Sequence, residues 1–251
     1  MESKVIKLTP TLVDTFESCP RRYWYLYEPD SPEVEKKVSW QLSFGNSIHD
    51  ALKEIYNQGG PPKVSLASLP GILEKNWHSE GYPESKLEKE RKILALEILE
   101  AYLERNRFRP IWTVELERTF TAIIEGVSLS ARIDRLDLLK PGLLIVDYKT
   151  GSGNLSLNQL YISYLVVRAN YASERDRPIR FLLLNLEKNE ERIIDLEEER
   201  ALSQISYYRQ VQEQIEKREF PPNPSLKNCR YCEARNICPY VRKWEREKES
   251  Q

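Results

Sequence analysis

Apolar residues recur along this chain at two spacings, which separate helical segments from extended ones. Helical spacing predicts helices over 11–18, from 44 onward, and over 66–77, 84–107, 157–172 and 197–218. Alternation and short apolar runs predict strands over 111–125, 127–139, 143–150, 180–186 and 192–196. The run at 143–148 is apolar at nearly every position, which is typical of a buried central strand.

Two of the predicted strands flank Lys140, Pro141 and Gly142, a strong turn signal. A hairpin centred between Lys140 and Pro141 pairs residues that are equally far from that centre, so Asp134 lies opposite Asp147. Directly opposed Cβ atoms in such a pair are about 4.5–5.5 Å apart. Lys149 follows Asp147 by two residues and therefore emerges on the same face of its strand.

Two opposed carboxylates repel each other, and this destabilises a sheet unless a cation lies between them. Carboxylate oxygens are the ligands that hard divalent cations prefer, so the pair predicts a metal site. A second interpretation stays open for this stretch. Asp147 and Lys149 would form a structural ion pair, and Asp134 would lie on the surface.

The composition limits the ways in which the protein can meet nucleic acid. Of the 251 residues, 40% are apolar and 31% are charged, as expected of a globular protein with a highly charged surface. Lys and Arg number 38 and Asp and Glu 39, so such contact must come from a local patch. No signal-like segment or membrane-spanning apolar run occurs, which predicts a cytoplasmic protein with no membrane partner.

The four cysteines form a candidate metal site, because three of them are clustered near the C-terminus. Cys229, Cys232 and Cys238 have ligand-like spacing, and Cys19 is the one cysteine left to complete a set of four. Such a site would join the two ends of the chain. Four thiolates suit either zinc or an iron–sulfur cluster, and the spacing alone slightly favours zinc.

A basic and aromatic segment follows Cys19. Arg21 and Arg22 precede the run Tyr23-Trp24-Tyr25-Leu26-Tyr27, and we interpret most of these rings as core. The alternative is a surface on which bases stack, with Arg21 and Arg22 as DNA-binding residues that contact phosphates.

The two histidines are few enough to weigh individually. His49 lies at the edge of the apolar face of its predicted helix and is either a structural residue or a third metal ligand. His78 lies at the charged end of the predicted helix over 66–77, and we interpret it as a surface residue.

Taken in order, these residues resemble the motifs of the PD-(D/E)XK nuclease superfamily, in particular its RecB-like iron–sulfur branch. That branch includes the AddB nuclease domain and the CRISPR-associated RecB-like exonucleases. The similar motifs are Cys19-Pro20-Arg21-Arg22-Tyr23, Phe44-Gly45 with His49, Glu117-x2-Phe120, Ile133-Asp134-Arg135, Asp147-Tyr148-Lys149-Thr150-Gly151, Gln159-Leu160 and the three tail cysteines. The chain departs from the branch at Ala131, where a glycine is common, and at Ser163, where a tyrosine is common.

The resemblance implies an α/β fold with a restriction-endonuclease-like core, in which a central mixed β-sheet is flanked by helices. A four-cysteine cluster would join the N- and C-terminal segments. The whole chain, 1–251, would be a single nuclease domain with its catalytic sheet at 111–196, and residue 19 with residues 221–240 would form the iron–sulfur segment. The implied cofactor there is a [4Fe–4S] cluster on Cys19, Cys229, Cys232 and Cys238, with structural Zn²⁺ as the alternative.

The resemblance also implies a metal-dependent deoxyribonuclease, an exonuclease that prefers single-stranded DNA. His49, Asp134, Asp147 and the backbone carbonyl of Tyr148 would bind Mg²⁺ or Mn²⁺. The catalytic residues would be Asp134, Asp147, Lys149 and Gln159. Lys149 would orient the attacking water, and Gln159 would position Lys149 or that water. DNA repair or recombination and CRISPR adaptation both remain open as pathways, with a helicase or an adaptation protein as partner.

Two other functions stay open. A non-catalytic nucleic-acid-binding or helicase-accessory module could keep the same fold, although the complete set of His49, Asp134, Asp147 and Lys149 argues against it. A zinc-containing scaffold with no nucleic-acid role would leave the opposed aspartates unexplained.

Overall fold

The structure is a computed structural model of the chain, and it describes residues 6–35, 38–110, 112–139, 141–151, 155–171 and 177–241. Three residues of predicted elements lie outside these ranges. They are Ile111 at the start of a strand, Lys140 in the turn and Ala172 at the end of a helix.

Nine α-helices lie within the described residues. They are α1 (Pro10–Ser18), α2 (Pro20–Tyr27), α3 (Trp40–Asn57), α4 (Leu69–Lys75), α5 (Ser85–Asn106), α6 (Leu157–Asn170), α7 (Glu198–Leu202), α8 (Ile205–Glu216) and α9 (Leu226–Cys229). Among these helices, none combines the length and the apolarity that crossing a bilayer requires.

Helix boundaries follow capping residues, and these correct several of the predicted limits. The Thr9 side chain caps α1, accepting a hydrogen bond from the Leu12 N–H at 3.2 Å. Ser39 caps α3 in the same way, so this helix begins at Trp40 and not at Phe44. The aromatic run after Arg22 lies in α2, which begins with Pro20 at its first turn.

Two predicted helices are wrong as single elements. The segment 66–77 divides into a 3₁₀ turn (Leu66–Ser68) and α4, which has a proline in its first turn. The segment 197–218 divides into α7 and α8. At that break the hydroxyls of Ser203 and Ser206 donate to nearby backbone carbonyls, which competes with helical hydrogen bonding.

The sheet has five strands in the order β1-β2-β3-β4-β5. They are β1 (Thr113–Ile124), β2 (Val127–Leu139), β3 (Gly142–Lys149), β4 (Ile179–Asn185) and β5 (Glu190–Asp195). Strands β3 and β4 pair in parallel across the crossover helix α6, and the other three pairs are antiparallel. The predicted mixed sheet is therefore confirmed. The predicted hairpin register is also confirmed, because Leu139 pairs with Gly142 and Arg135 with Val146.

Helices cover both faces of the sheet, as the predicted restriction-endonuclease-like architecture requires. Helices α1, α6 and α8 pack on one face, where Leu143 and Ile145 of β3 are buried. Helices α3, α4 and α5 pack on the other face, where Val146 and Tyr148 are buried. The strand β3 is thus buried on both sides, which explains its continuous apolar run.

The two ends of the chain meet beside α2. Tyr25 of α2 is buried in a small apolar cluster with Cys229, Cys238 and other residues of the tail. The side chain of Asn228 donates to the backbone carbonyl of Ser18 at 2.7 Å. These contacts confirm that the N- and C-terminal segments are joined.

Candidate active site

Three carboxylates come from three neighbouring strands at one level of the sheet. In the β1–β2 ladder, Leu116 pairs with Arg135 and Arg118 with Ile133, so Glu117 lies opposite Asp134. In the β2–β3 ladder, the last paired residues are Arg135 and Val146. Asp134 and Asp147 are the next residues on the two strands. The predicted approach of two aspartates is therefore a row of three acids.

The backbone of the sheet is irregular at the level of the three acids, and this irregularity sets the directions of their side chains. Glu117 has a φ of +48°, a left-handed conformation that is unusual for a residue with a side chain. The apolar alternation of β2 also changes phase here, since Ile133 and Leu136 pack in the same core although they are three residues apart. The N–H of Tyr148 donates to Asp134 Oδ2 at 2.9 Å, in place of a partner carbonyl on β2.

Helix α3 adds a histidine to the row of acids. His49 Nδ1 lies 3.5 Å from Glu117 Oε1 and 3.6 Å from Asp134 Oδ1. Its Nε2 lies 3.2 Å from the backbone oxygen of Tyr148. If Nε2 carries the proton and donates to that oxygen, Nδ1 keeps a free lone pair that can bind a metal between the two carboxylates. One ligand atom from each of His49, Glu117 and Asp134 fits within a distance of 4.8 Å, so these residues could hold a metal ion.

Burial and mutual repulsion alter the charges of these groups. Burial raises the pKa of Asp134 to about 6, and the nearby charge of Asp147 adds to this effect, although His49 works against it. Burial likewise raises the pKa of Asp147, against the opposing charge of Lys149. Burial of the His49 ring opposes its charged form, but the carboxylates outweigh it and raise its pKa. A dense group of negative charge of this kind is suited to a cation.

Lys149 and Gln159 lie on the α6 side of the row. Lys149 Nζ is 2.9 Å from Asp147 Oδ2 and donates to Gln159 Oε1 at 3.2 Å. The amide nitrogen of Gln159 donates to Asp147 Oδ1. Ser156 caps α6 by accepting from the Gln159 N–H, which fixes the start of the helix and places Gln159 in its first turn. Asp147 is therefore the acid of the row that makes direct contact with Lys149 and Gln159.

A buried arginine lies beneath the site, on the α5 side of the sheet. Arg135 Nε donates to both oxygens of Asp137 at 3.0 Å. Its Nη1 lies within hydrogen-bonding distance of the hydroxyls of Tyr56, Tyr102 and Tyr148. This hydrogen-bond network connects α3, α5, β2 and β3 beneath the candidate metal ligands.

Sequence reasoning missed the role of two residues here. Glu117 appeared as part of a strand motif but not as a ligand, and its side chain is only 3% exposed. Arg132, which the sequence did not single out, donates from Nε to Glu117 Oε2 at 2.7 Å. The sequence signal for Glu117 is weak, because Glu117 is one of three charged residues on β1, together with Glu115 and Arg118.

His78 is an exposed residue, as predicted, and it also borders the site. Its Nε2 lies 2.9 Å from Asp50 Oδ2, and it lines the same cavity as His49 and Asp134 while its side chain remains 44% exposed. It is therefore a residue of the cavity wall.

The four cysteines, all within the described residues, line one small cavity and form no disulfide. The N–H of Asn223 donates to Cys19 Sγ at 3.3 Å. No three of the four Sγ atoms lie within 4.8 Å of one another. A tetrahedral zinc site would hold its sulfurs about 3.8 Å apart, so this arrangement is wider than a closed zinc site.

The two arginines after Cys19 have different surroundings. Arg21 packs over the rings of Trp24 and Tyr240, at 4.9 and 5.5 Å from the ring centroids. Arg22 makes a bidentate ion pair with Glu233, both contacts measuring 2.8 Å. A phosphate would therefore have to compete with Glu233 for Arg22.

The mixed sheet and its site place this chain in a class of α/β proteins. Three acids, a histidine and a lysine meet in a site of the kind that binds metal ions. The family model of the PD-(D/E)XK nuclease superfamily matches residues 7–239. The chain belongs to the PD-(D/E)XK nuclease superfamily. Its members are nucleases, hydrolases that act on phosphodiester bonds with the help of divalent metals.

One solved structure is similar to this chain at the level of the fold. A crystal structure described as "Putative exonuclease" from Eubacterium rectale aligns with a TM-score of 0.52 and 17% identity, over 94% of this chain and 87% of that chain. A crystal structure of SSO0001 aligns with a TM-score of 0.33 and 13% identity, over 92% of this chain and 94% of that chain. Among the curated proteins, none matches this chain.

Proposed function

We propose that this protein is a Mg²⁺- or Mn²⁺-dependent deoxyribonuclease of the RecB-like iron–sulfur branch, an exonuclease that prefers single-stranded DNA. The observation that carries the proposal is the convergence of His49, Glu117 and Asp134 beside the contact between Asp147 and Lys149. Structural ion pairs do not require three acids at one level of a sheet, because their repulsion is costly.

The donor set fits a hard divalent cation. His49, Glu117 and Asp134 supply one nitrogen and two carboxylates, and Asp147 and the carbonyl of Tyr148 border them. Burial raises the pKa values of Asp134 and Asp147, and a bound cation would favour the charged forms of both carboxylates. When bound, the metal would lower the pKa of a coordinated water and polarise the scissile phosphate.

The remaining residues orient the reacting groups. Lys149 places its ammonium next to Asp147, where it would orient the attacking water and offset the charge that develops on the phosphate. Gln159 accepts from Lys149 and donates to Asp147, so it holds both side chains in fixed positions. His49 holds its ring through Nε2 and the carbonyl of Tyr148, leaving Nδ1 toward the acids.

The cysteines would hold a [4Fe–4S] cluster that joins the ends of the chain. Cys19, Cys229, Cys232 and Cys238 share one cavity, and their spacing is wider than a closed zinc tetrahedron requires. An N–H donor to Cys19 Sγ is the kind of contact that stabilises a thiolate ligand. The role of the cluster would be structural.

DNA would reach the site across the surface near the cysteines. Arg21, which stacks on aromatic rings, is the stronger candidate for a phosphate contact, and Arg22 would serve if it exchanged Glu233 for phosphate. The protein would act in the cytoplasm, in DNA repair or recombination or in CRISPR adaptation, with a helicase or an adaptation protein as partner.

Cleavage of labelled single-stranded and duplex DNA tests the proposal. We expect cleavage with Mg²⁺ or Mn²⁺ and none in EDTA. Asp147→Ala and Lys149→Ala should lower the rate at least 100-fold, the size expected for loss of a preorganised electrostatic contact. Both variants should remain folded and bind DNA.

Asp195→Asn is the matched control, because Asp195 is an exposed carboxylate at the far edge of the same sheet. It should cleave at the wild-type rate. Wild-type cleavage by Asp147→Ala would refute the catalytic assignment. DNA binding without cleavage in any divalent metal would favour the non-catalytic module.

A further inference from the structure

Two cavities adjoin the ion pair between Glu117 and Arg132. One, of about 390 Å³, contains the candidate metal ligands. The other, of about 460 Å³, lies toward α1 and α6 and is reached by Lys149 and Gln159; we refer to it as the α1 cleft. Both volumes are in the range of ligand-binding pockets, about 300–1,000 Å³. Arg132 lines both cavities.

The two cavities differ in charge. The metal cavity is lined by the carboxylates of Asp50, Glu117 and Asp134. The α1 cleft has the cations Arg132 and Lys149, and its lining includes hydroxyl side chains of Thr9, Thr11, Thr119 and Ser130. Its one lining carboxylate, Asp14, already accepts a hydrogen bond from the Asn158 side chain at 2.7 Å. The cleft therefore suits an anion, and the metal cavity suits a cation.

Arg132 is held in place and still exposed. Its Nε donates to the buried Glu117, yet 60% of its side chain surface is exposed to solvent. A guanidinium has five N–H donors, so one contact with Glu117 leaves the outer nitrogens able to bind a phosphate in a fixed orientation.

We propose that the α1 cleft binds the sugar–phosphate backbone of the DNA strand, with Arg132 contacting a phosphate next to the one at the metal site. The proposal rests on the proposed nuclease function and adds the direction from which the strand reaches the site. No aromatic ring belongs to the described lining of the cleft, so its contacts are with the backbone and not with stacked bases. Binding through this cleft should not depend on base sequence.

Anisotropy of labelled oligonucleotides tests this surface without requiring catalysis. The protein is titrated in saturating Ca²⁺ with single strands of two unrelated sequences, at several salt concentrations. Arg132→Gln, which keeps an amide donor for Glu117, should weaken binding about tenfold for both sequences. The slope of log K against log salt should become shallower by about 0.7, the value for one phosphate contact on a single strand.

Arg118→Gln is the matched control. Arg118 is also an exposed arginine in an ion pair, with Glu115 on the same strand β1 as Glu117, and it lines neither cavity. It should change the affinity less than twofold and leave the salt slope unchanged. An equal loss in both variants would overturn the proposal, because any surface cation would then give the effect.

The affinity for Mn²⁺, measured by calorimetry, separates phosphate binding from positioning of Glu117. It should be the same within twofold in Arg132→Gln and the wild type. A lower metal affinity of Arg132→Gln with unchanged DNA binding would overturn the proposal. So would an Arg132→Gln variant that binds DNA with the affinity and the salt slope of the wild type. If Arg132→Gln shows the expected binding loss while the wild type cleaves no DNA, the cleft stands and the proposed nuclease function fails.

Discussion

At the scale of single residues, the site concentrates negative charge where solvent cannot offset it. Glu117 and Asp147 are almost wholly buried, and Asp134 is 15% exposed. Burial raises the pKa of Asp134 to about 6, above its ordinary value, so the metal-free fold favours its neutral form. The free energy of unfolding of the metal-free protein must therefore depend on pH.

Because the folded pKa of Asp134 exceeds the unfolded one, its stabilising contribution is complete below about pH 4 and is lost as pH rises through about 6. Asp134→Asn cannot ionise but still offers an acceptor to the Tyr148 N–H. In EDTA, we expect this variant to gain roughly 1–3 kcal/mol relative to the wild type between about pH 4.5 and 7.5. Urea unfolding at these pH values measures the difference.

The exposed Asp195 again provides the control, and Asp195→Asn should show no pH-dependent difference from the wild type. With saturating Mn²⁺ the order should reverse, since the wild type then gains the metal-binding free energy. A difference between Asp134→Asn and the wild type that stays constant with pH in EDTA would contradict the account.

Residue-level prediction from sequence succeeded where one turn fixed the geometry. Pro141 and Gly142 define the hairpin, and the hairpin brings Asp134 and Asp147 to the same level. The contribution of Glu117 was out of reach, because it depends on the pairing of β1 with β2 and on a left-handed residue that no propensity scale anticipates. The approach of His49 from α3 likewise depends on tertiary packing, so the sequence could only offer it as a candidate.

At the scale of elements, strand β3 positions the site through both its backbone and its side chains. Tyr148 donates its N–H to Asp134, contacts His49 through its carbonyl oxygen, and receives a hydrogen bond from Arg135 on its hydroxyl. One residue thus connects the buried arginine network to two of the candidate metal ligands, His49 and Asp134. Apolar spacing predicted most elements, but the break between α7 and α8 depends on local serine hydrogen bonds within an otherwise helical pattern.

The Arg135 network offers a matched pair of substitutions. Tyr148→Phe and Tyr56→Phe each remove one hydroxyl acceptor from Arg135, at a cost of about 1–2 kcal/mol in stability. Only Tyr148 lies on the strand that contacts the ligands. We expect Tyr148→Phe to weaken Mn²⁺ binding about tenfold, the scale of outer-contact effects at metal sites, and Tyr56→Phe to change it less than twofold. Calorimetric titration measures both, and equal affinities would mean that the network is only structural.

At the scale of the whole molecule, the C-terminal tail is fixed against the N-terminal helices. The cysteine cavity, the contact of Asn228 with Ser18 and the ion pair of Arg22 with Glu233 all join the two ends. The clustering of the tail cysteines predicted this closure, because three ligands required a fourth and only Cys19 was available. The choice between zinc and an iron–sulfur cluster depends on the distances between the four sulfurs, which the sequence does not give.

Loss of one cysteine should affect colour and stability together. Protein purified without oxygen should show a broad visible absorbance and contain about four irons per chain, as a [4Fe–4S] cluster requires. Cys232→Ser should lose the absorbance and unfold at a lower temperature, because the cluster no longer contributes to holding the ends of the chain together. A colourless wild-type protein with stoichiometric zinc would contradict the iron–sulfur assignment.

The most direct test of the central claim, that acids from three strands and one histidine form a metal site, is an anomalous difference map from crystals soaked in Mn²⁺. We predict a strong peak roughly 2 Å from His49 and from the carboxylates of Glu117 and Asp134, beside Asp147. A map with no peak among these residues, at a Mn²⁺ concentration that supports binding in solution, would contradict the account.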